Sequence, residues 1–247
     1  AASDLVIDAA IRRAGMLRVD TLQQLFDAAE TLAHARATPQ AGPLPSTLML
    51  VTNGGGAGVL AADAAASAGV PLAGMTPDLC ATLDAVLPPN WSRANPVDII
   101  GDAPAARYVA ALQALLEQPP GRSVGTVLFM HAPTAIVPAS DIAEALLPLV
   151  ARHPGRVLAG WLGEAAVRSA RQAFQAAGVP CHATPEAAVV AFAQLQTYRD
   201  NQAELAGLIC ESFAFQVYAP DVVLALIKGV SHVLPHAPIL HLKNEDF

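Results

Sequence analysis

From residue 47 to about 200 the chain alternates short apolar runs with longer stretches of helical spacing. The runs at 47–52, 72–73, 97–100, 126–130, 157–161 and 180–182 predict strands. The stretches near 58–68, 77–86, 104–117, 140–151, 164–177 and 185–200 predict helices. Runs such as Thr126-Val-Leu-Phe-Met are apolar at every position, which is expected of strands buried on both faces in a parallel sheet. Strands and helices that alternate in this way predict an α/β, doubly wound, three-layer domain. Two copies of Ala-Gly-Val-Pro, at 68–71 and 177–180, read as helix ends in which Gly takes the left-handed cap and leads into a strand.

The first 37 residues read helix, short strand, helix. Ser3 is the expected cap of a helix running to Gly15, 16–19 forms a short extended run, and Asp20 caps a second helix. That second helix places Leu22, Leu25, Phe26, Ala29 and Leu32–Ala33 on one face. A lone strand between two helices cannot bury both its faces, so residues 1–37 read as the C-terminal remnant of a preceding α/β domain. Residues 38–46 carry linker chemistry, rich in Pro and Gly. Residues 206–247 depart from the pattern and form an atypical tail.

Composition sharpens this picture. The chain is 247 residues long, 53% apolar and 14% charged, with a net charge of −7. At that length a core forms without disulfide or metal staples. Alanine supplies much of the apolar fraction, which favours helices packed on a sheet over an all-β sandwich. An acidic chain has no general affinity for nucleic acid or anionic lipid. No apolar run reaches the length of a membrane span. Cys80, Cys181 and Cys210 are far apart and form neither a disulfide framework nor a zinc motif, so the cytoplasm is the expected compartment. His232, His236 and His241, separated by Pro235 and Pro238, are poorly spaced for a helical metal pair. All twelve Arg fall between Arg12 and Arg199, whereas the only lysines are Lys228 and Lys243. The start, Ala1-Ala2-Ser3-Asp4, reads as a cut into a longer polypeptide.

In doubly wound sheets ligands sit beyond the carboxyl ends of the strands. Four segments fall there. Asn53-Gly54-Gly55-Gly56-Ala57-Gly58 follows the first strand and opens a helix. It is either a tight βα turn or a cradle of backbone N–H groups for a phosphate or carboxylate, and four glycines in five positions favour the cradle. Gly56-Ala57-Gly58-Val59-Leu60-Ala61 has the form of a dinucleotide fingerprint, yet no acidic residue ends the next strand to take a ribose. Without a P-loop, and with no Lys before Lys228, nucleoside triphosphate chemistry is not expected in this domain. The second segment runs Asn95-Pro96-Val97-Asp98-Ile99-Ile100-Gly101-Asp102-Ala103-Pro104, with Asp102 as the expected N-cap and Pro104 in the first helical turn. Asp98 is either a satisfied structural carboxylate or a site group. His131, in Met130-His131-Ala132-Pro133-Thr134, is either packing or chemistry. Glu164, after Gly163, compensates a helix dipole.

Three long words carry a family likeness. They are 3–19 with Glu30-Thr31-Leu32-Ala33, then Val51-Thr52-Asn53-Gly54-Gly55-Gly56-Ala57-Gly58-Val59-Leu60-Ala61-Ala62-Asp63, and Leu87–Ala103 together with Met130–Ala135. Over residues 1–205 the chain resembles ADP-forming (NDP-forming) acetate/acyl-CoA synthetases, closest to the branch fused to a GNAT-type protein acetyltransferase. The likeness ends near Ile209, where the family would run toward an ATP-grasp domain.

The resemblance implies a flavodoxin-like succinyl-CoA ligase domain over 47–205. It also implies a ligase that interconverts acyl-CoA, ADP and phosphate with acid, CoA and ATP through acyl phosphate and phosphohistidine. The phosphohistidine would lie in a Ser-His-Thr-Gly segment preceding Ala1, so no catalytic residue and no metal ligand is expected in this chain. CoA and ADP/ATP with Mg would serve the full-length enzyme, and none is expected to bind this chain alone. Its implied partners are acyl phosphate or a small carboxylic acid, and the CoA-binding and ATP-grasp domains of the same polypeptide or complex.

By the same resemblance Asn53, with Gly54, Gly55 and Gly56, would contact the acid. Ile100, Gly101, Asp102 and Ala103 would form the helix start facing the phosphohistidine, with Asp98 and His131 as accessory groups. The succinyl-CoA synthetase β subunit, whose C-terminal domain this one resembles, has more glycine at this turn, so an Asp at 102 opposes phosphate unless it caps the helix or is neutralised. The alternative reading is a non-catalytic acyl-CoA-sensing domain of a GNAT-type lysine acetyltransferase. On either reading the isolated chain is not expected to turn over.

Overall fold

The computed structural model describes residues 3–37, 45–119 and 121–215, with no account of the side chains at 36–37 and 208–215. Most of the 38–46 linker, both lysines, and His232, His236 and His241 lie outside the described residues.

Two compact units divide the chain, one of Leu17–Tyr198 and one of Ala1–Met16 with Arg199–Phe247. The larger unit holds a five-stranded parallel sheet. Its strands are β1 (Leu48–Thr52), β2 (Val97–Asp98), β3 (Thr126–His131), β4 (Val157–Trp161) and β5 (Cys181–His182), in the order β2-β1-β3-β4-β5. The helices, in chain order, are α1 (Asp4–Arg13), α2 (Leu22–Ala37), α3 (Gly55–Ser67), α4 (Pro77–Asp84), α5 (Ala105–Leu116), α6 (Ala139–Ala151), α7 (Arg168–Ala176) and α8 (Pro185–Phe215).

Alternation along the strands sends side chains to two cores. Val127 and Phe129 join Met49, Val51, Leu112, Leu146, Trp161 and Phe174 on the face covered by α5, α6 and α7. Leu128 and Met130 join Leu48, Leu50, Ala61, Ala65, Val189 and Phe192 on the face covered by α3 and α8. The sheet is therefore wound on both sides, and β1, β3 and β4 are buried at every position, as their apolar runs predict. Both Ala-Gly-Val-Pro words end helices as expected: Gly69 and Gly178 lie at φ +68° and +80°, beyond the C-caps Ala68 and Ala177.

Several elements differ from the sequence expectation. The 72–73 run makes only an isolated bridge, Leu48 to Leu72, because the outer side of β1 is divided between that residue and β2. The Asn95 side chain fills the division, accepting from Leu50 N (3.0 Å) and donating to Leu48 O (2.9 Å) and Ala73 O (3.0 Å). Residues 16–19 form no strand, since no neighbouring strand among the described residues offers them a ladder. Thr21 rather than Asp20 caps α2: its Oγ1 accepts from Gln24 N (3.1 Å), while Asp20 N donates back to Gln24 Oε1 (2.9 Å). The 164–177 helix begins as a short 3-10 turn, Ala165–Val167, before α7, and α8 continues past 200 to Phe215.

α2 also reverses the expected facing. Ala28 and Thr31 are buried, whereas Leu22, Leu25 and Phe26 are 67%, 50% and 61% exposed. The buried side works through polar groups: Glu30 accepts from Cys181 N (3.2 Å) and Gln175 Nε2 (3.1 Å), and Thr31 Oγ1 meets His182 Nε2 at 3.4 Å. An edge strand presents unpaired backbone donors, and carboxylates satisfy them better than leucines do.

The smaller unit contains α1, which buries none of its residues. There Asn201 donates to Met16 O (2.7 Å) and Gln202 to Gly15 O (2.5 Å).

Candidate functional site

Because all five strands are parallel, their carboxyl ends emerge on one edge, and the segments after β1, β2, β3 and β4 gather there. The first of these makes a tighter turn than the sequence reading has it. α3 starts at Gly55, so Gly55, Gly56 and Gly58 belong to the helix and Gly54 is its N-cap. Gly54 N donates to Thr52 Oγ1 (3.0 Å), and Ala57 N and Gly58 N donate to Gly54 O (3.0 and 3.3 Å). Helix geometry leaves the N–H groups of Gly55 and Gly56 as first-turn donors, and both residues are exposed.

Asn53 stands beside this turn but is only 3% exposed. Its Nδ2 donates to Ala132 O (2.9 Å) and its Oδ1 accepts from Ala132 N (2.8 Å), so the amide pairs with the backbone beyond β3 as another strand would. The structure thus gives Asn53 a tie between two loops of the edge. Close packing explains the small residues here: a Cβ on Gly54 would lie 3.3 Å from Ala132 Cβ, and one on Gly58 3.1 Å from Pro96.

The second segment packs against the first. A Cβ on Gly101 would lie 3.5 Å from Asn53 O, and one on Gly55 would lie 3.1 Å from Asp98 Oδ2. Asp98 therefore faces the N-terminus of α3, where a carboxylate is favoured by the helix dipole. Its Oδ1 also accepts from Ile100 N (2.8 Å). Ile100 holds φ +71°, a left-handed conformation that a β-branched residue adopts only under constraint, and the Asp98 bond supplies one.

Asp102 does not cap α5; Pro104 occupies the N-cap position and Ala105 opens the helix. A proline ring already fixes φ for helix entry, and the Asp102 carboxylate turns to Arg107 instead, with Oδ1 accepting from Nη1 at 2.5 Å. The same Nη1 donates to Ile99 O (3.1 Å). Arg107 is 19% exposed against 65% for Asp102, so the cation is the fixed partner.

His131 is not brought to the loops. It is 1% exposed, its Nδ1 meets Tyr108 Oη at 2.9 Å, and its ring makes edge contacts with Tyr108 and Trp161. Burial lowers its pKa from 6.5 to about 4, and the same burial raises that of Tyr108. A neutral imidazole in an aromatic core is a packing group. Glu164 lies exposed ahead of the 3-10 turn, while Arg171 Nη2 donates to Trp161 O (2.8 Å) and Gly163 O (3.0 Å) and holds the loop after β4.

Sequence reasoning placed Asn95 in the second segment without a role, and missed Arg107 and Arg171. No local signal singles out Arg107, which lies in the first turn of the helix that follows Asp102.

The assembled edge offers backbone N–H donors at Gly55 and Gly56, a constrained turn at Ile100–Asp102, and the Arg107 cation. First-turn backbone donors of this kind are able to pair with a small anion. Among the described residues there is no lysine and no group of three or more His, Cys, Asp or Glu that could hold a metal. Among the described residues, no helix is long and apolar enough to cross a membrane.

The strand order and the helices on both faces define a doubly wound domain of flavodoxin-like class. Residues 48–202 match the Ligase-CoA domain, and the chain belongs to that family. It is 30% identical over 200 residues to 4-hydroxybutyrate–CoA ligase (ADP-forming) of Nitrosopumilus maritimus, covering 80% of this chain and 27% of the relative. It is 34% identical over 190 residues to acetate–CoA ligase (ADP-forming) I of Archaeoglobus fulgidus, covering 77% and 25%. The chain thus spans about a quarter of the length of these curated relatives. The dinucleotide-forming acetyl-coenzyme A synthetase 1 of Ca. Korarchaeum cryptofilum superposes in its apo form with a TM-score of 0.73 at 26% identity, covering 84% of this chain and 44% of that one. Its complex with phosphate and ADP gives 0.72, at the same identity, over 84% and 43%.

Proposed function

We propose that this chain is the acid- and acyl-phosphate-receiving domain of an ADP-forming acyl-CoA ligase. In that reaction acyl-CoA, ADP and phosphate are interconverted with acid, CoA and ATP, and the CoA-binding and nucleotide-binding domains lie elsewhere in the polypeptide or complex. The observation that carries the reading is the apposition of two turns at one sheet edge, Asn53–Gly56 and Ile100–Ala103, in a fold shared with CoA ligases. Glycine at 55 and 56 leaves backbone N–H groups open to a carboxylate or phosphate without a Cβ in the way.

Residues 1–37 are read as the end of a preceding domain, and the outward apolar face of α2 supports this, because Leu22, Leu25 and Phe26 are left without cover. The test uses the complete polypeptide. Gly55→Val and Gly101→Val are expected to cut kcat/KM for the acid at least tenfold, with the ADP dissociation constant unchanged. Full activity in both variants would remove the reading. Retained acyl-CoA binding without thioester formation in the unmodified full-length protein would instead support a sensing domain coupled to a GNAT-type acetyltransferase.

A further inference from the structure

We propose that Arg107 and Asp102 are a positioning pair that sets the charge of the turn receiving the anion. This rests on the reading above, that an anion is received at Gly101. Without compensation, the turn would be hostile to an anion. Asp98 and Asp102 both border it, and a carboxylate a few ångströms from a phosphate repels it strongly where water is partly excluded. Arg107 alters this through two bonds from one nitrogen. Nη1 holds the Asp102 carboxylate at 2.5 Å and the carbonyl of Ile99 at 3.1 Å.

The first bond neutralises Asp102. The second fixes the residue before the left-handed Ile100, whose N–H is held in turn by Asp98. Arg107 thus acts on the anion through the turn. Its burial at 19% exposure, against 65% for Asp102, makes the carboxylate the half of the pair that can yield.

The test follows inorganic phosphate binding to the 247-residue chain through the backbone amide resonances of Gly55, Gly56 and Gly101. Arg107→Gln is expected to weaken binding about tenfold, the scale of one uncompensated charge near the ligand. Asp102→Asn in the Arg107→Gln background is expected to restore affinity to within about threefold of the unmodified chain, because the carboxylate that Arg107 balanced is removed with it. Asp102→Asn alone changes an exposed side chain, keeps the Ile99 bond and is expected to tighten binding. It therefore keeps the test decisive if Arg107→Gln fails to fold. A double variant that binds as weakly as Arg107→Gln would make Arg107 a direct ligand and overturn the compensating role. Unaltered or weaker binding by Asp102→Asn alone would overturn it as well. If phosphate moves no amide near Gly55, Gly56 or Gly101 in the unmodified chain, the functional reading itself falls and this inference falls with it. Normal binding by the unmodified chain with indifferent variants would remove the inference alone.

Discussion

At the scale of single residues, the two groups that look most like site chemistry are spent on structure. Asn53 gives both ends of its amide to Ala132, nearly free of solvent. Asn53→Ala is expected to cost about 2 kcal/mol, the scale of two hydrogen bonds lost at a buried position, measured by urea unfolding. His131 has a folded pKa near 4, below the unfolded value of 6.5, because burial disfavours its charged form. The unfolded chain therefore holds the extra proton between those values. The stability contributed is complete above pH 6.5 and is lost as pH falls toward 4, with His182, lowered by its own burial, acting in the same direction. His131→Gln, whose amide can still pair with Tyr108 Oη, is expected to flatten the stability profile between pH 6.5 and 4; an unchanged slope would contradict the assignment. Asn53 and His131 were legible as strand-end polar residues, but what their side chains touch depends on Ala132 and Tyr108, which are brought close only by tertiary packing. Arg107 was illegible for the same reason, since nothing in its local pattern separates it from a solvated helical arginine.

At the scale of elements, the apolar runs identified β1, β3 and β4 because strands buried on both faces have no polar positions to confuse them. The edge was harder to read. The 72–73 run and β2 share one side of β1, and a single side chain, Asn95, joins them, which periodicity cannot express. The glycine turn was recognised, but its residues entered the helix three positions earlier than the apolar spacing allowed.

α2 is the clearest reversal. Its amphipathic face predicts burial of Leu22, Leu25 and Phe26, yet the polar side docks on β5. Leu25→Ser with Phe26→Ser is accordingly expected to leave the stability of this chain within about 0.5 kcal/mol of the original. Glu30→Ala, which strips the acceptor from Cys181 N, is expected to cost about 1–2 kcal/mol. Equal losses in both variants, measured by thermal unfolding, would mean that the outward face is packed in solution.

At the scale of the whole molecule, the alanine-rich composition is accounted for by helices laid on both faces of the sheet, where Ala61, Ala65, Ala111, Ala143 and Ala188 are fully or almost fully buried. On the proposed reading, ligand chemistry at the loops then depends on backbone donors and one partly buried arginine more than on reactive side chains. That division of labour fits a receiving surface whose reactive groups are supplied by other domains, and the isolated chain is expected to form no thioester from acid, CoA and ATP. The central claim is tested most directly by titrating the 15N-labelled chain with acetyl phosphate. Saturable shifts confined to the amides of Gly54–Gly56 and Gly101–Ala103, competed by inorganic phosphate, are expected. Shifts absent from both turns, or centred on another part of the domain, would contradict it.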